Sequence, residues 1–207
     1  MTEPTEDRSG RILDAALSEF AEHGYVAAST SGIATRANVA KALVFHHYSS
    51  KEALFLAVYA MVSTRIEAAM DECLRDAPPD LLARVLLWTE RKLGMFREDP
   101  RMLRLYLVVL PQAPKEIRLQ VSKQRTESMM DLSQRFLAGI DASVLSVSAE
   151  LAFDALSTLS AGIEQRILAL PPKQRTQAHL EALTDRARTM FTLLARGLYH
   201  TKERATK

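Results

Sequence analysis

Residues 29–51 hold the side chains of this 207-residue chain whose types and spacing could do chemistry. The segment carries three basic side chains, Arg36, Lys41 and Lys51, and no acidic one, although the formal net charge of the chain is only +2. A local group of cations without carboxylates attracts phosphate groups whatever the overall charge of the protein. The residue types therefore predict a surface for a phosphate-bearing partner.

Other chemistries find little support in the residue types. Cys73 is the single cysteine, which excludes an internal disulfide, and no Cys/His spacing resembles a zinc site. The sequence has no His-Glu-x-x-His motif, no glycine-rich phosphate loop and no nucleophile with an obvious base. We therefore expect no enzymatic activity, no metal and no cofactor.

The ends and the apolar runs of the chain bear on its location. Residues 1–8 are polar and acidic where a secretory signal would be basic and then apolar. The uninterrupted apolar runs are far shorter than the roughly 20 residues of a membrane span. We expect a soluble, cytoplasmic protein without a membrane partner.

The elements that must position residues 29–51 are helices. Seven glycines and eight prolines leave long stretches without turn signals, which favours an all-α fold. Ile12, Ala16 and Phe20 follow a helical spacing that Gly24 ends.

Two short helices come next. Ser29 is placed to cap a helix over residues 30–37, Asn38 suits a left-handed residue after it, and a second helix is expected over 41–47. Two such helices joined by a turn of three or four residues match the helix-turn-helix geometry.

A long helix is predicted to connect this N-terminal part to the rest. Ser49 and Glu52 read as a capping box, and residues 52–74 contain neither glycine nor proline. A helix of this length spans roughly 35 Å, enough to leave one small domain and enter another. The sequence thus predicts a tail and helix-turn-helix domain over 1–51, a linking helix over 52–74, a helical bundle over 75–200, and a polar tail over 201–207.

The last two predicted helices, over 144–169 and 178–199, differ from the others in composition. The first carries many small residues, and the second has apolar residues at heptad-like spacings of three and four. A subunit interface is the preferred interpretation, and an ordinary intramolecular core stripe is the alternative. The residues expected at a dimer interface are Leu156, Ile163, Leu183, Met190 and Leu194.

The outward residues of the second short helix would reach base edges and phosphates if that helix entered a major groove. They are Ala40, Lys41, Leu43, His46 and His47. Ser29 and Lys51 stand at helix N-termini, where hydroxyl, ammonium and free backbone N–H groups suit phosphate.

These residues resemble the TetR-type transcriptional repressors from Ile12 to about Val58. The resemblance rests on Ile33-Ala34, Asn38-Val39, Lys41, Phe45-His46-His47-Tyr48 and Ser50-Lys51-Glu52-Ala53-Leu54. It implies that Ser29, Lys41, Phe45, His46 and Lys51 stand where family members meet DNA. With Ala40 and Leu43 they form the expected DNA-binding set.

Four positions depart from the family pattern. Ala40 replaces a serine that would cap the recognition helix, which loses about 1 kcal/mol, and Asn38 replaces glycine. Phe45 replaces tyrosine and so lacks a hydroxyl for phosphate, and Leu43 replaces a smaller polar residue. We expect these departures to affect which operator sequence is bound more than whether DNA is bound.

A pocket for an effector would be built among the helices from 81 to 169. Adaptable apolar and aromatic side chains are available there: Trp88, Met95, Phe96, Met102, Tyr106, Met129, Met130 and Phe153. Plain core packing is the alternative interpretation of each of them.

The sequence thus predicts a regulator that binds a near-palindromic operator in double-stranded DNA as a homodimer and is released by a small, mostly hydrophobic effector. A ligand-independent DNA-binding or adaptor protein is an alternative, which a fully packed 81–169 region would favour. An all-α enzyme or carrier is the third, which DNA binding that survives mutation of Lys41 and Lys51 would favour.

Overall fold

A computed structural model describes residues 5–169 and 177–199, without the side chains of 5–7, 124–132, 167–169, 177–181, 183 and 184. The described ranges contain helices and no β-strand, which confirms the all-α prediction. The helices are α1 (Thr5–Ala27), α2 (Thr30–Ala37), α3 (Lys41–His47), α4 (Lys51–Arg75), α5 (Leu81–Glu98), α6 (Pro100–Arg104), α7 (Leu110–Gln112), α8 (Lys115–Leu137), α9 (Ala149–Ala169) and α10 (Gln177–Leu198). The predicted tail over 201–207 lies outside the described residues.

The signals predicted around the first two turns are confirmed. Gly24 breaks the helical geometry of α1 with φ 75°, and one further turn ends at Ala27. Ser29 caps α2, since its hydroxyl oxygen accepts the Gly32 N–H at 2.9 Å. Asn38 ends α2 in the left-handed conformation, with φ 54° and ψ 50°.

The cap predicted for the long helix was wrong by one residue. Ser50, not Ser49, accepts the Ala53 N–H at 3.0 Å, and α4 begins at Lys51. Glu52 is therefore the second residue of the helix, whereas a capping box needs the acid at the third.

Helical geometry continues through Pro111, and one other helix begins later than predicted. A π-helical turn (Leu105–Val109) precedes Pro111, and the chain stays helical to Gln112. In this wider turn the Leu110 N–H bonds to the carbonyl oxygen of Leu105, five residues earlier, which is the spacing of a π-helix. Helix α9 begins at Ala149 rather than 144, because the Ser148 hydroxyl accepts the Leu151 N–H.

The chain divides into two compact units. Unit 1 consists of Met1–Ala68 and Gly94–Thr126, and its core holds fully buried side chains from α1, α2, α3 and α4. Phe20 and Phe55 meet edge to face there at 5.0 Å, and Ile33 and Val44 bury the inner sides of α2 and α3. This core fixes the position of the two short helices.

Unit 2 consists of Ala69–Leu93 and Glu127–Lys207. A buried arginine, Arg84, is 6% exposed and donates to the carbonyl oxygens of Phe136 at 2.8 Å and Ala138 at 2.6 Å. It therefore caps the C-terminal end of α8 with a cation, which the helix dipole favours. The domain boundaries predicted above stay a prediction.

Helix α4 is long and apolar enough to cross a membrane by those two criteria alone. Leu54, Phe55, Val58 and Val62 on this helix are fully buried within the chain. The core helix of a folded domain has the same composition, so this feature is weak support for a membrane span.

Candidate nucleic-acid interface

Helices α2 and α3 form a compact pair whose inner sides are packed. Ile33, Ala34 and Ala37 of α2 and Val44 of α3 are buried in unit 1. The left-handed Asn38 turns the chain between the helices, and its N–H bonds back to carbonyl oxygens of α2. Packing on one side leaves the opposite side of α3 free to meet a partner.

The outward side of α3 carries Lys41, Ala42, Phe45 and His46, all of them exposed. Phe45 is 43% exposed, and the Lys41 Nζ lies 5.9 Å from its ring centroid. No acidic residue occurs in α3, whose sequence is Lys-Ala-Leu-Val-Phe-His-His. The face is thus cationic and apolar, a combination that suits phosphates together with base edges.

Arg36 is not part of this cationic face. Its guanidinium donates two hydrogen bonds to the Glu22 carboxylate, at 3.0 and 2.7 Å. The bonds lower the pKa of Glu22 and raise the pKa of Arg36. The segment 29–51 lacks acids in sequence, but α1 supplies one in space, so the predicted cluster of three cations is reduced by one.

A second acid of α1 supports the start of α2. Glu19 is 7% exposed, and its Oε1 accepts the Ser29 N–H at 3.1 Å. A Cβ atom added to Gly32 would lie 2.8 Å from the same oxygen. Glycine at position 32 therefore leaves room for the carboxylate that holds the N-cap residue.

Lys51 joins the start of α4 to the end of α1. Its Nζ donates to the Val26 carbonyl oxygen at 2.9 Å and lies 5.0 Å from the Tyr25 ring centroid. Burial lowers the pKa of Lys51. The ammonium is thus held at the end of α1, where the sequence alone suggested only a cation near a helix end.

Two sequence comparisons with known proteins point to one family, and a structural comparison shows a similar fold. Residues 12–58 match the family model for bacterial regulatory proteins of the tetR family. The transcriptional activator FasR of Mycolicibacterium smegmatis is 29% identical over 136 residues, covering 64% of this chain and 61% of FasR. The transcriptional regulator FadR of Bacillus subtilis, solved in complex with stearoyl-CoA, superposes with a TM-score of 0.71 at 18% identity, covering 92% of this chain and 100% of FadR. Residues 12–58 are a TetR-type domain, and the comparisons support a TetR-type regulator.

The sequence similarity to curated TetR-type relatives is confined to part of each chain. The repressor Rv3405c of Mycobacterium tuberculosis is 36% identical over 81 residues, which are 39% of this chain and 42% of that protein. The aligned segments thus span between two fifths and three fifths of these relatives. All are named as transcription regulators, which confirms the prediction that the chain is not an enzyme.

The residues predicted to meet DNA fall into two groups in this TetR-type domain. Ala40, Lys41, Phe45 and His46 are exposed on or beside α3, and Leu43 is half-buried there. Ser29 and Lys51 already have the protein partners described above. Ala42, which follows Lys41 in α3, is also exposed. It was not in the predicted set, although helical spacing places it on the outward side of α3. Contact of these residues with DNA stays a prediction.

The residues predicted to line an effector pocket are divided between the two units. Met95, Phe96, Met102 and Tyr106 belong to unit 1, and Trp88 and Phe153 to unit 2. All except the half-buried Tyr106 are buried. The side chains of Met129 and Met130 lie outside the described residues, and the pocket remains a prediction.

The predicted dimer residues differ in exposure. Leu156 and Ile163 are buried in the chain's own core, whereas Met190 and Leu194 are half-buried, and the side chain of Leu183 is not among those described. Other residues form the exposed faces of α9 and α10, with Leu151 and Leu193 each 57% exposed. Their helices also carry Gly162 and Gly197, at which an added Cβ would meet nothing within 4 Å.

One arginine that the sequence did not single out ties α6 to α1 within unit 1. The Arg101 guanidinium donates to Asp14 at 2.9 Å, to Ser18 at 2.7 Å and to Asp99 at 2.7 Å. Arg104 adds a bond to the Ala21 carbonyl oxygen at 2.7 Å. The partners in α1 are more than 80 residues from these arginines in sequence, so no local pattern indicates them.

Within the described ranges, no three His, Cys, Asp or Glu side chains are grouped so that they could hold a metal ion. Cys73 is a free, half-buried thiol, and burial raises its pKa. A raised pKa lowers the thiolate fraction and with it the reactivity of the thiol.

Proposed function

We propose that this TetR-type regulator is a transcriptional repressor that binds a near-palindromic operator as a homodimer and is released by a small, mostly hydrophobic effector. In this proposal residues 1–51 bind DNA, 52–74 link, and 75–200 bind the effector and dimerise. The protein acts where the chromosome is, in the bacterial cytoplasm.

The outward face of α3 carries the proposal. Lys41, Phe45 and His46 are exposed without a carboxylate on their helix, while the nearby acids Glu19 and Glu22 are engaged by Ser29 and Arg36. A face of this kind attracts the phosphate backbone and is narrow enough for a major groove.

The homodimer follows from the small size of that face. One copy of α3 offers few hydrogen-bonding groups, and a helix-turn-helix dimer places two copies in half-sites about one helical turn apart. The exposed apolar residues of α9 and α10, with Gly162 and Gly197 open to close approach, support these helices as the dimer surface.

Two observations support an apolar effector: the types of the candidate pocket residues and the ligand of one protein of similar fold. The candidate pocket residues are methionines and aromatic side chains, which suit apolar ligands of variable shape. FadR, which has a similar fold, was solved with stearoyl-CoA. An apolar effector that binds one conformation of the dimer better than the other would shift its population away from DNA.

Selection from a random pool of duplex DNA tests the DNA-binding part. We expect enrichment of a near-palindromic motif whose half-site centres lie about 10 base pairs apart, or a multiple of that distance. The bound complex should contain two chains per duplex. Recovery of unenriched DNA would overturn the proposal.

Titration of the selected complex with stearoyl-CoA tests the effector part, with acetyl-CoA as the matched control. We expect stearoyl-CoA to weaken operator binding at least fivefold and acetyl-CoA to leave it unchanged. Equal effects of the two would assign the response to the shared nucleotide and contradict an apolar effector site.

A further inference from the structure

We infer that α3 selects its DNA sequence by apolar contact, with Ala42 and Phe45 against the methyl groups of thymine. The inference rests on the proposed function, since it assumes that α3 enters a major groove. It goes beyond that function by naming the bases that are read and the atoms that read them.

The first observation is which groups the outward face of α3 lacks. Its exposed side chains are Lys41, Ala42, Phe45 and His46. Apart from Lys41, which could pair with guanine, the helix contains no arginine, asparagine or glutamine for the bidentate pairs with guanine and adenine, and no acid to accept from cytosine. Most hydrogen-bonding routes to a base edge are therefore absent from this helix.

The second observation is which groups the face offers instead. Phe45 leaves 43% of its surface in solvent, beside the exposed methyl group of Ala42. An exposed phenylalanine on a helix that buries Val44 on its other side does not serve the core. The thymine C5-methyl is the apolar group that a major groove presents, so it is the natural partner for both side chains.

The spacing of the two side chains fits neighbouring base pairs. Residues three apart lie on the same face of a helix, with an axial separation of about 4.5 Å. Successive bases on one strand are about 3.4 Å apart. Ala42 and Phe45 can therefore contact methyl groups one or two base pairs apart without bending the helix.

Lys41 supplies charge rather than sequence information. Its Nζ lies 5.9 Å from the Phe45 ring centroid, so the ammonium is next to the apolar contact surface. A lysine there neutralises a phosphate at the groove edge, and this contact holds the ring at the bases. The expected half-site therefore contains thymines at adjacent or next-adjacent positions.

Replacement of thymine by deoxyuridine tests the inference, because this change removes only the methyl group. The probe is the duplex that the wild-type protein selects from a random pool, with one thymine replaced at a time. We expect a threefold to fivefold loss of affinity at one or two positions in each half-site, the effect of losing one buried methyl. Other thymines should tolerate the change.

Two variants assign the contacts. Phe45→Ala should remove the uridine penalty at one position, and Phe45→Tyr, which keeps the ring, should retain it. Ala42→Gly should remove the penalty at the neighbouring position. A circular dichroism spectrum and the retained penalty at the Phe45 position show whether the glycine variant still forms α3.

The competing outcome is recognition by hydrogen bonds. Affinity that is unchanged by every uridine but lost when 7-deazaguanine removes the N7 acceptor of guanine would assign base reading to Lys41 or His46 and overturn the inference. If the pool gives no enriched sequence at all, it is the proposed DNA-binding function that fails.

Discussion

At the residue scale, Gly32 matters because of the carboxylate beside it. An added methyl group would lie 2.8 Å from the Glu19 Oε1 and 3.0 Å from the Ser29 Oγ. Glu19 cannot retreat without releasing the Ser29 N–H, so the start of α2 would lose a charge-assisted hydrogen bond.

We expect Gly32→Ala to lower the free energy of unfolding by about 1–2 kcal/mol, net of the better helix propensity of alanine. Urea titration followed by circular dichroism measures this. Gly10→Ala is the matched control, since Gly10 is exposed in α1 with nothing within 4 Å, and it should be neutral or slightly stabilising. Equal stability of the two variants would contradict the role given to Glu19.

The carboxylate of Asp99 makes the stability of the fold depend on pH. Hydrogen bonds from Arg101 hold the pKa of Asp99 below its ordinary value of 3.8. Because the folded-state pKa is depressed, the carboxylate stabilises the fold above the unfolded value and loses that effect as the pH falls through the folded value.

The stability difference between the wild type and Asp99→Asn should therefore be largest above roughly pH 5, at about 1–2 kcal/mol, and shrink as the pH falls below 3.8. Urea titrations at a series of pH values measure it. A difference that stays constant from pH 7 to the acid limit of folding would assign the effect to lost packing instead.

At the element scale, Arg101 attaches α6 to α1, which belongs to the same compact unit as the helix-turn-helix. Replacing it with methionine keeps the apolar stem and removes the bonds to Asp14, Ser18 and Asp99. We expect a loss of about 1–3 kcal/mol in unfolding free energy and a threefold to tenfold weaker operator complex. Calorimetry and fluorescence anisotropy on the selected duplex measure the two effects.

Arg188→Met is the matched control for this variant. Arg188 also pairs with an acid, Glu90, but both side chains are more than two fifths exposed. Exposed ion pairs contribute about 0–1 kcal/mol, so this variant should bind and unfold like the wild type. If it behaves like Arg101→Met, the attachment of α6 to α1 has no special role.

Much of the element order was predictable because its signals are local. The cap at Ser29, the left-handed Asn38 and the break at Gly24 each depend on residues within four positions. The Arg101 network and the Glu22–Arg36 pair join separate helices, and the register error at Ser50 came from two adjacent serines of equal propensity. Spacing within one helix carries no information about such contacts.

At the scale of the whole molecule, the segments that make up unit 1 determine which part of the chain an effector would contact. Residues 94–126 belong to the same compact unit as α1, α2 and α3. An effector that contacts Met95, Phe96, Met102 or Tyr106 therefore binds the unit that carries the DNA-facing helix. A change in α6 would reach α1 through Arg101 without crossing a domain boundary.

The proposed dimer surface on α9 and α10 can be tested by a substitution. Gly162→Phe should leave the fold of one chain intact, since nothing lies within 4 Å of the added Cβ, but it should block close approach of a second copy. Light scattering should give twice the chain mass of 23.1 kDa for the wild type and a single chain mass for the variant. Leu119→Phe, on the exposed side of α8, is the control and should remain dimeric.

The outward face of α3 is proposed to hold operator DNA. The most direct measurement is the affinity of the selected duplex, as a function of salt, for Lys41→Ala and for the charge-neutral double variant Glu22→Ala/Arg36→Ala. We expect Lys41→Ala to weaken binding about tenfold and to reduce the salt slope by about one per chain, while the double variant keeps wild-type values because Arg36 is already bound to Glu22. Unchanged binding by Lys41→Ala together with loss of binding by the double variant would show that the outward face of α3 is not the DNA-binding surface.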